Sequence, residues 1–186
     1  MRVLNIVTSP RKDQSVSRTL VDAFLREYMR QADDIVVDTL DVWQEWLPEF
    51  DAETINVKYK GVSGEPMTPA EVTPWEKIGE LASRFQSADR IDMGVPMWNF
   101  SFPYKLKLLI DLSCQRNMLF TFDGKCYGPS LDIEKAFVAF VRGHSDEAGF
   151  ETVQHVTLSL EHTWDGHAVD MIDAGTKKAA ELAKQF

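Results

Sequence analysis

Two short loops carry the residues of this chain best suited to chemistry. The first, Ser9-Pro10-Arg11-Lys12-Asp13-Gln14-Ser15-Val16-Ser17, follows the apolar run Val3 to Thr8 and leads into a helical pattern. Its hydroxyls and the free amides of a helix's first turn suit a dianionic phosphate. Orphan N–H groups and the positive end of the helix dipole both favour negative charge. Arg11, Lys12 and Arg18 add positive potential beside it. Simple capping, in which Ser15 satisfies the helix amides and binds nothing, stays open as the other reading. The second loop, Pro96-Met97-Trp98-Asn99-Phe100, follows the run Ile91 to Val95. Its consecutive amides can wrap the edge of a flat ring, with Trp98 and Phe100 as walls and Asn99 as donor and acceptor. The alternative is an aromatic plug between strand and helix.

Two more segments belong with these loops. Arg142-Gly143-His144-Ser145 leaves another apolar run, and a glycine there lets backbone approach a ligand closely. In Asn117 to Gly124, Phe120 and Phe122 are two apart and face one side of an extended strand. They roof a ligand, pack on a second subunit, or form the core of a small hairpin.

The elements that must position these loops alternate between strand-like and helical patterns, the mark of βαβ units and a parallel sheet. Strands are expected over Val3–Thr8, Ile35–Leu40, Arg90–Val95, Lys135–Val141 and Val153–Leu160. Helices are expected after Ser17, from Asp51 to Lys58, from Pro69 to Ser87, from Pro103 to Ser113 and from Gly166 to Lys184. Thr68 serves as an N-cap, and Pro103 takes the first position of its helix. The economical arrangement is an α/β, three-layer sandwich of one domain, residues 1–186, around a five-stranded parallel sheet of order 2-1-3-4-5. In such sheets ligands bind outside the carboxyl ends of the strands, where both loops lie. Asp92, inside a central strand, fits poorly and should sit near a strand end or find a partner under a helix.

Lys and Arg total 20 against 29 Asp and Glu, a net charge of −9, which argues against a nucleic-acid partner. The acidity serves solubility or docking on a basic protein. Cys114 and Cys126 have no metal or C-x-x-C spacing and read as reduced thiols of a cytoplasmic protein. His144, His155, His162 and His167 make no metal pattern, and no apolar stretch is long enough to cross a membrane.

A phosphate loop and a ring loop at neighbouring strand ends together suggest a site for flavin mononucleotide. The chain resembles the FMN-dependent NADH-azoreductase and quinone reductase family, which has the flavodoxin-like fold. The resemblance runs through Ser9-Pro10-Arg11 with Ser15-x-Ser17, Leu47-Pro48-Glu49-Phe50-Asp51, Pro96-Met97-Trp98-Asn99-Phe100, Pro103, Phe120-Thr121-Phe122 and Gly128-Pro129. It implies that Ser9, Ser15, Val16 and Ser17 hold the FMN phosphate. Met97, Trp98, Asn99 and Phe100 would hold the ribityl chain and ring, joined by Arg142 and Gly143 at the ring edge. It further implies non-covalent FMN, NADH or NADPH as donor, and ping-pong two-electron reduction of quinones and azo compounds. No side chain acts as nucleophile. A homodimer would bring Trp98, Phe120 and Phe122 onto planar substrates.

The sequence departs from the family in two places. The family's S-R-G-G loop is matched only at Arg142 and Gly143. The connection at 144–154 is shorter than the roughly dozen residues a parallel crossover needs, so a shortened crossover between strands 4 and 5 is expected. Two other functions therefore stay open: an electron-transfer protein, and a flavin-less binding protein of the same fold.

Overall fold

The computed structural model describes residues 1–142, 156–160 and 168–186. Gly143, His144, His155, His162, His167 and the expected short crossover lie outside these residues. Four strands, β1 (Arg2–Val7), β2 (Val36–Asp41), β3 (Arg90–Pro96) and β6 (Lys135–Val141), form a parallel sheet in the order β2-β1-β3-β6. Val156–Leu160 (β7) runs parallel beside β6. Two short strands, β4 (Phe120–Phe122) and β5 (Tyr127–Pro129), make a separate antiparallel hairpin. β5 was not among the expected strands.

Alternation along the strands sends side chains to two opposite cores. Val3, Phe137, Ala139 and Val141 meet α1 (Val16–Tyr28) and α5 (Ala168–Ala183) through Leu20, Phe24, Ala179 and Ala183. Phe24 stacks on Phe137 with ring centroids 3.9 Å apart. Burying a side chain such as Leu20 or Phe24 completely contributes about 1.5–3 kcal/mol. On the other face, Leu4, Ile6, Ile91 and Val95 meet α3 (Pro69–Gln86) and α4 (Tyr104–Ser113) through Ile78, Leu81, Leu106 and Leu109. The result is the helix–sheet–helix layering expected of the flavodoxin-like fold.

Three local expectations are corrected. The helix predicted to stop at Lys58 runs on as α2 (Ala52–Ser63) and ends at Gly64, whose left-handed φ of 70° supplies the C-cap. Gly61 does not break it, because the Trp75 indole occupies the space where a Cβ would stand. Pro103 is the N-cap of α4, with Tyr104 first in the helix. Asp92 is not at a strand end: it is fully buried in mid-strand, and both carboxylate oxygens lack a hydrogen-bond partner among the described residues. Thr68 does cap α3, in a capping box with Glu71.

Candidate functional site

The phosphate-type loop is built by close packing at the carboxyl ends of β1 and β3. Thr8 is buried, and its hydroxyl donates to the Gly94 carbonyl at 2.5 Å, tying the exit of β1 to β3. Gly94 in turn admits the first turn of α1. A Cβ there would lie 2.5 Å from the Ser17 carbonyl oxygen. The start of α1 is thereby pressed onto the sheet edge. A cavity of about 10 Å³, room for one water, lies there among Asn5, Thr8, Ser9, Ser17, Asp22 and Gly94.

Ser9, Ser15 and Ser17 are all buried. Ser15 Oγ accepts from the Arg18 amide at 3.4 Å and lies 3.1 Å from Ser17 Oγ. Ser9 Oγ accepts from the Arg11 amide at 3.4 Å. Capping by Ser15 is therefore present, but it leaves the Val16 and Ser17 amides without an acceptor among the described residues. Arg18 lies 3.6 Å from Asp22, and Arg11 and Lys12 point into solvent.

The ring-type loop is a tight turn. Trp98 and Ser101 exchange backbone hydrogen bonds of 2.7 and 2.9 Å. Asn99 and Phe100 between them have φ of 48° and 61°, the geometry of a two-residue hairpin turn. Asparagine tolerates it, whereas Phe100 holds a sparsely populated conformation that costs about 1–3 kcal/mol. Its side chain is 79% exposed, so burial of the ring offsets little of that cost. The Asn99 and Phe100 amides have no backbone acceptor among the described residues. Met97 donates its amide to the Val141 carbonyl at 2.8 Å, which joins this loop to the end of β6 and sets Arg142 next to it.

Phe120 and Phe122 form the small-hairpin cluster, with ring centroids 5.6 and 4.6 Å from Tyr127. Phe120 also lines a separate cleft of about 290 Å³ with Lys58, Tyr59, Cys114 and Arg116.

Three residues at this edge were missed from sequence. Thr8 and Gly94 make the close approach of β1, β3 and α1. Trp43 follows β2, and its indole N–H donates to the Thr8 carbonyl at 2.9 Å. The usable signal was position, since each stands at or next to the carboxyl end of a strand.

Asp92 is fully buried. Burial first, and the nearby Asp22 carboxylate second, push this acid well above its ordinary range. Asp92 pairs in register with Asn5, whose Oδ1 also lacks a hydrogen-bond partner among the described residues. The two lie in one row beneath α1, on the sheet face that carries Gly94.

Residues 1–166 match the flavodoxin-like fold family. A Burkholderia lata protein named FMN-dependent NADH:quinone oxidoreductase 2 is 48% identical over 207 residues, covering all of both chains. The chain belongs to the FMN-dependent NADH:quinone oxidoreductase family. A second Burkholderia lata member, FMN-dependent NADH:quinone oxidoreductase 9, is 46% identical over 142 residues, 76% of this chain and 68% of that one. Among solved structures, azoreductase AzrA superposes with a TM-score of 0.88 at 25% identity, with both chains fully covered. The azoreductase of Bacillus anthracis str. Sterne superposes at 0.89 with 24% identity, again over both whole chains, and shows the shared fold. The alignment with the first family member is longer than the 186 residues of this chain. That member therefore carries residues this chain lacks.

No helix among the described residues is long and apolar enough to cross a membrane. Both cysteines are free thiols, as expected.

Proposed function

We propose that this chain is an FMN-dependent NADH:quinone oxidoreductase that also reduces azo compounds. The observation that carries this reading is the meeting of two donor sets at one sheet edge. The Val16 and Ser17 amides, without an acceptor among the described residues, stand with the hydroxyls of Ser9, Ser15 and Ser17 at the end of β1. The Asn99 and Phe100 amides, with no backbone acceptor among the described residues, stand at the end of β3. The first set matches a phosphate and the second a hydrogen-bonding ring edge, so the residues fit FMN.

In this reading Ser9, Ser15, Val16 and Ser17 hold the phosphate. Met97, Trp98, Asn99 and Phe100 hold the ribityl chain and ring, with Arg142 and Gly143 at the ring edge. When bound, FMN supplies two-electron transfer between NADH and the acceptor. The chain's own part is to bind, orient and exclude water. Trp98 provides an apolar wall, and donors at the Asn99 turn stabilise negative charge at the ring edge.

The finer assembly is part of the same proposal. Residues 1–186 make one domain with a five-stranded sheet of order β2-β1-β3-β6-β7. The residues absent relative to the longer family member are taken from the β6–β7 connection. Outward Tyr59, Tyr104, Ile110 and Tyr127, on α2, α4 and the hairpin, support a homodimer through that face. Phe120 and Phe122 would then meet planar quinone or azo substrates together with Trp98. The free thiols support a cytoplasmic location.

Absorption of the purified protein tests the reading, before and after FMN and then after anaerobic NADH. Visible flavin bands that bleach with NADH, and turnover with a soluble quinone, are expected. A protein that takes up no FMN refutes the proposal. Bands that survive both NADH and NADPH refute the reductase in favour of an electron carrier. Sedimentation of the holoprotein as a monomer would overturn the dimer alone.

A further inference from the structure

Trp43 touches every loop that leaves the β1–β3 edge, although it belongs to none of the segments that carry the family resemblance. The exit of β2 stays attached to β1 through the Val42 amide, which donates to the Val7 carbonyl at 3.1 Å. Asp41 then closes a turn, its carboxylate accepting the Trp43 amide at 2.9 Å and its carbonyl accepting the Glu45 amide at 2.8 Å. This turn holds the half-buried indole across the end of β1. Its N–H donates to the Thr8 carbonyl at 2.9 Å. Its ring lies 5.8 Å from Trp98 and takes Tyr104 edge-on at 5.5 Å. The Lys105 ammonium stands 5.7 Å over the same ring.

Thr8 is the last residue before the phosphate-type loop, and it is held from two sides. Its hydroxyl reaches Gly94 and its carbonyl receives Trp43. Thr8 is only 1% exposed, so without the indole its carbonyl loses that donor where water has little access. Trp98 begins the turn of the ring-type loop by pairing with Ser101, and Tyr104 opens α4 behind it. One side chain therefore fixes the distance between the two donor sets. For a cofactor whose phosphate and ring are joined by a chain of set length, that distance decides whether both ends are satisfied together.

We infer that Trp43 is a positioning residue of the FMN site, setting the spacing of the Ser9–Ser17 and Met97–Phe100 loops through Thr8 and Trp98. This inference rests on the FMN reading above.

The test is FMN titration of the apo protein by flavin fluorescence, with the dissociation rate and the visible circular dichroism of the bound flavin as second readouts. Trp43→Phe keeps a ring but removes the N–H. It should weaken FMN binding about three- to tenfold, the effect of one buried hydrogen bond, with faster release and altered flavin dichroism at saturation. Trp46→Phe, an exposed neighbour outside both loops, should match wild type on all three. A residue with a merely structural role would lower the folded fraction without changing the dichroism or release rate of the flavin that does bind. Wild-type affinity, release and dichroism in Trp43→Phe would overturn the inference. Trp43→Tyr, judged by the same readouts, replaces that variant if it does not fold. Absence of FMN binding by wild type would instead overturn the functional reading, and the inference with it.

Discussion

Gly94 on β3 lies directly beneath the Ser17 peptide of α1, with space for a hydrogen and nothing larger. A Cβ at Gly94 would stand 2.5 Å from the Ser17 carbonyl oxygen and 2.8 Å from its carbon. The partner in this contact is backbone, which cannot rotate away as a side-chain tip can. The close approach puts the first turn of α1, and with it the Val16 and Ser17 amides, at the carboxyl edge of the sheet.

Gly94→Ala should therefore act on the site as well as on the fold. Overpacking of this kind costs about 1–3 kcal/mol, and relief requires α1 to move off β3. Urea unfolding should show the loss of stability, and FMN titration a parallel loss of affinity. Unchanged affinity in a folded variant would mean that the helix start does not bind the phosphate.

Asp92 should make stability fall as pH rises. Its acid is pushed well above 3.8 in the folded protein, by burial and then by Asp22. The unfolded chain releases this proton near 3.8, while the folded chain keeps it to higher pH. The folded state thus binds more protons in that window, and stability declines through it by up to about 1.4 kcal/mol per pH unit. Asp92→Asn has the same shape and no such proton. Its stability relative to wild type should improve steadily from pH 4 upward in urea melts, and parallel curves would refute a raised acid.

Ser15→Ala removes both the Arg18 cap and the contact with Ser17 Oγ. Loss of an N-cap of this type costs about 0.5–2 kcal/mol. If Ser15 also holds phosphate, FMN binding should weaken beyond what the melting curve accounts for. Wild-type FMN affinity in the folded variant, beside the loss of stability, would leave capping as its whole role.

Glu71 ties α2 to α3. Its carboxylate receives Lys60 Nζ at 2.6 Å and the Thr68 amide at 2.8 Å, and these partners, Lys60 first, hold its acid down at about 2. A lowered acid stabilises the fold above its unfolded value of 4.5, and that contribution is lost as pH falls from 4.5 toward 2. Glu71→Gln should melt below wild type at pH 7, and the gap should close on acidification. A gap undiminished at pH 2.5 would place the effect elsewhere.

The strands and the two loops at their carboxyl ends were legible because their signals are local. Val3–Thr8 and Lys135–Val141 read as buried strands from their apolar runs, and the loops after β1 and β3 followed from strand-end position. The full length of α2 was not legible. Gly61 reads as a breaker in one dimension, and only the Trp75 indole packed against its Cα makes its lack of a side chain an asset. Phe120 and Phe122 kept three readings open from sequence, and the hairpin one is seen because Tyr127 arrives from β5 to stack on them.

By itself the sequence determined the alternation of strands and helices, the residues of both donor loops and, through its resemblance, the family. These depend on periodicity, caps and motifs that neighbouring residues define. Tertiary structure alone decided which groups meet: Gly94 under Ser17, Trp43 on Thr8, and Asp92 buried beside Asn5. Such contacts join residues far apart in sequence, from different elements and the loops between them. Their effect depends on distances of a few tenths of an ångström and on exclusion of water, which arise only when the layers close on one another.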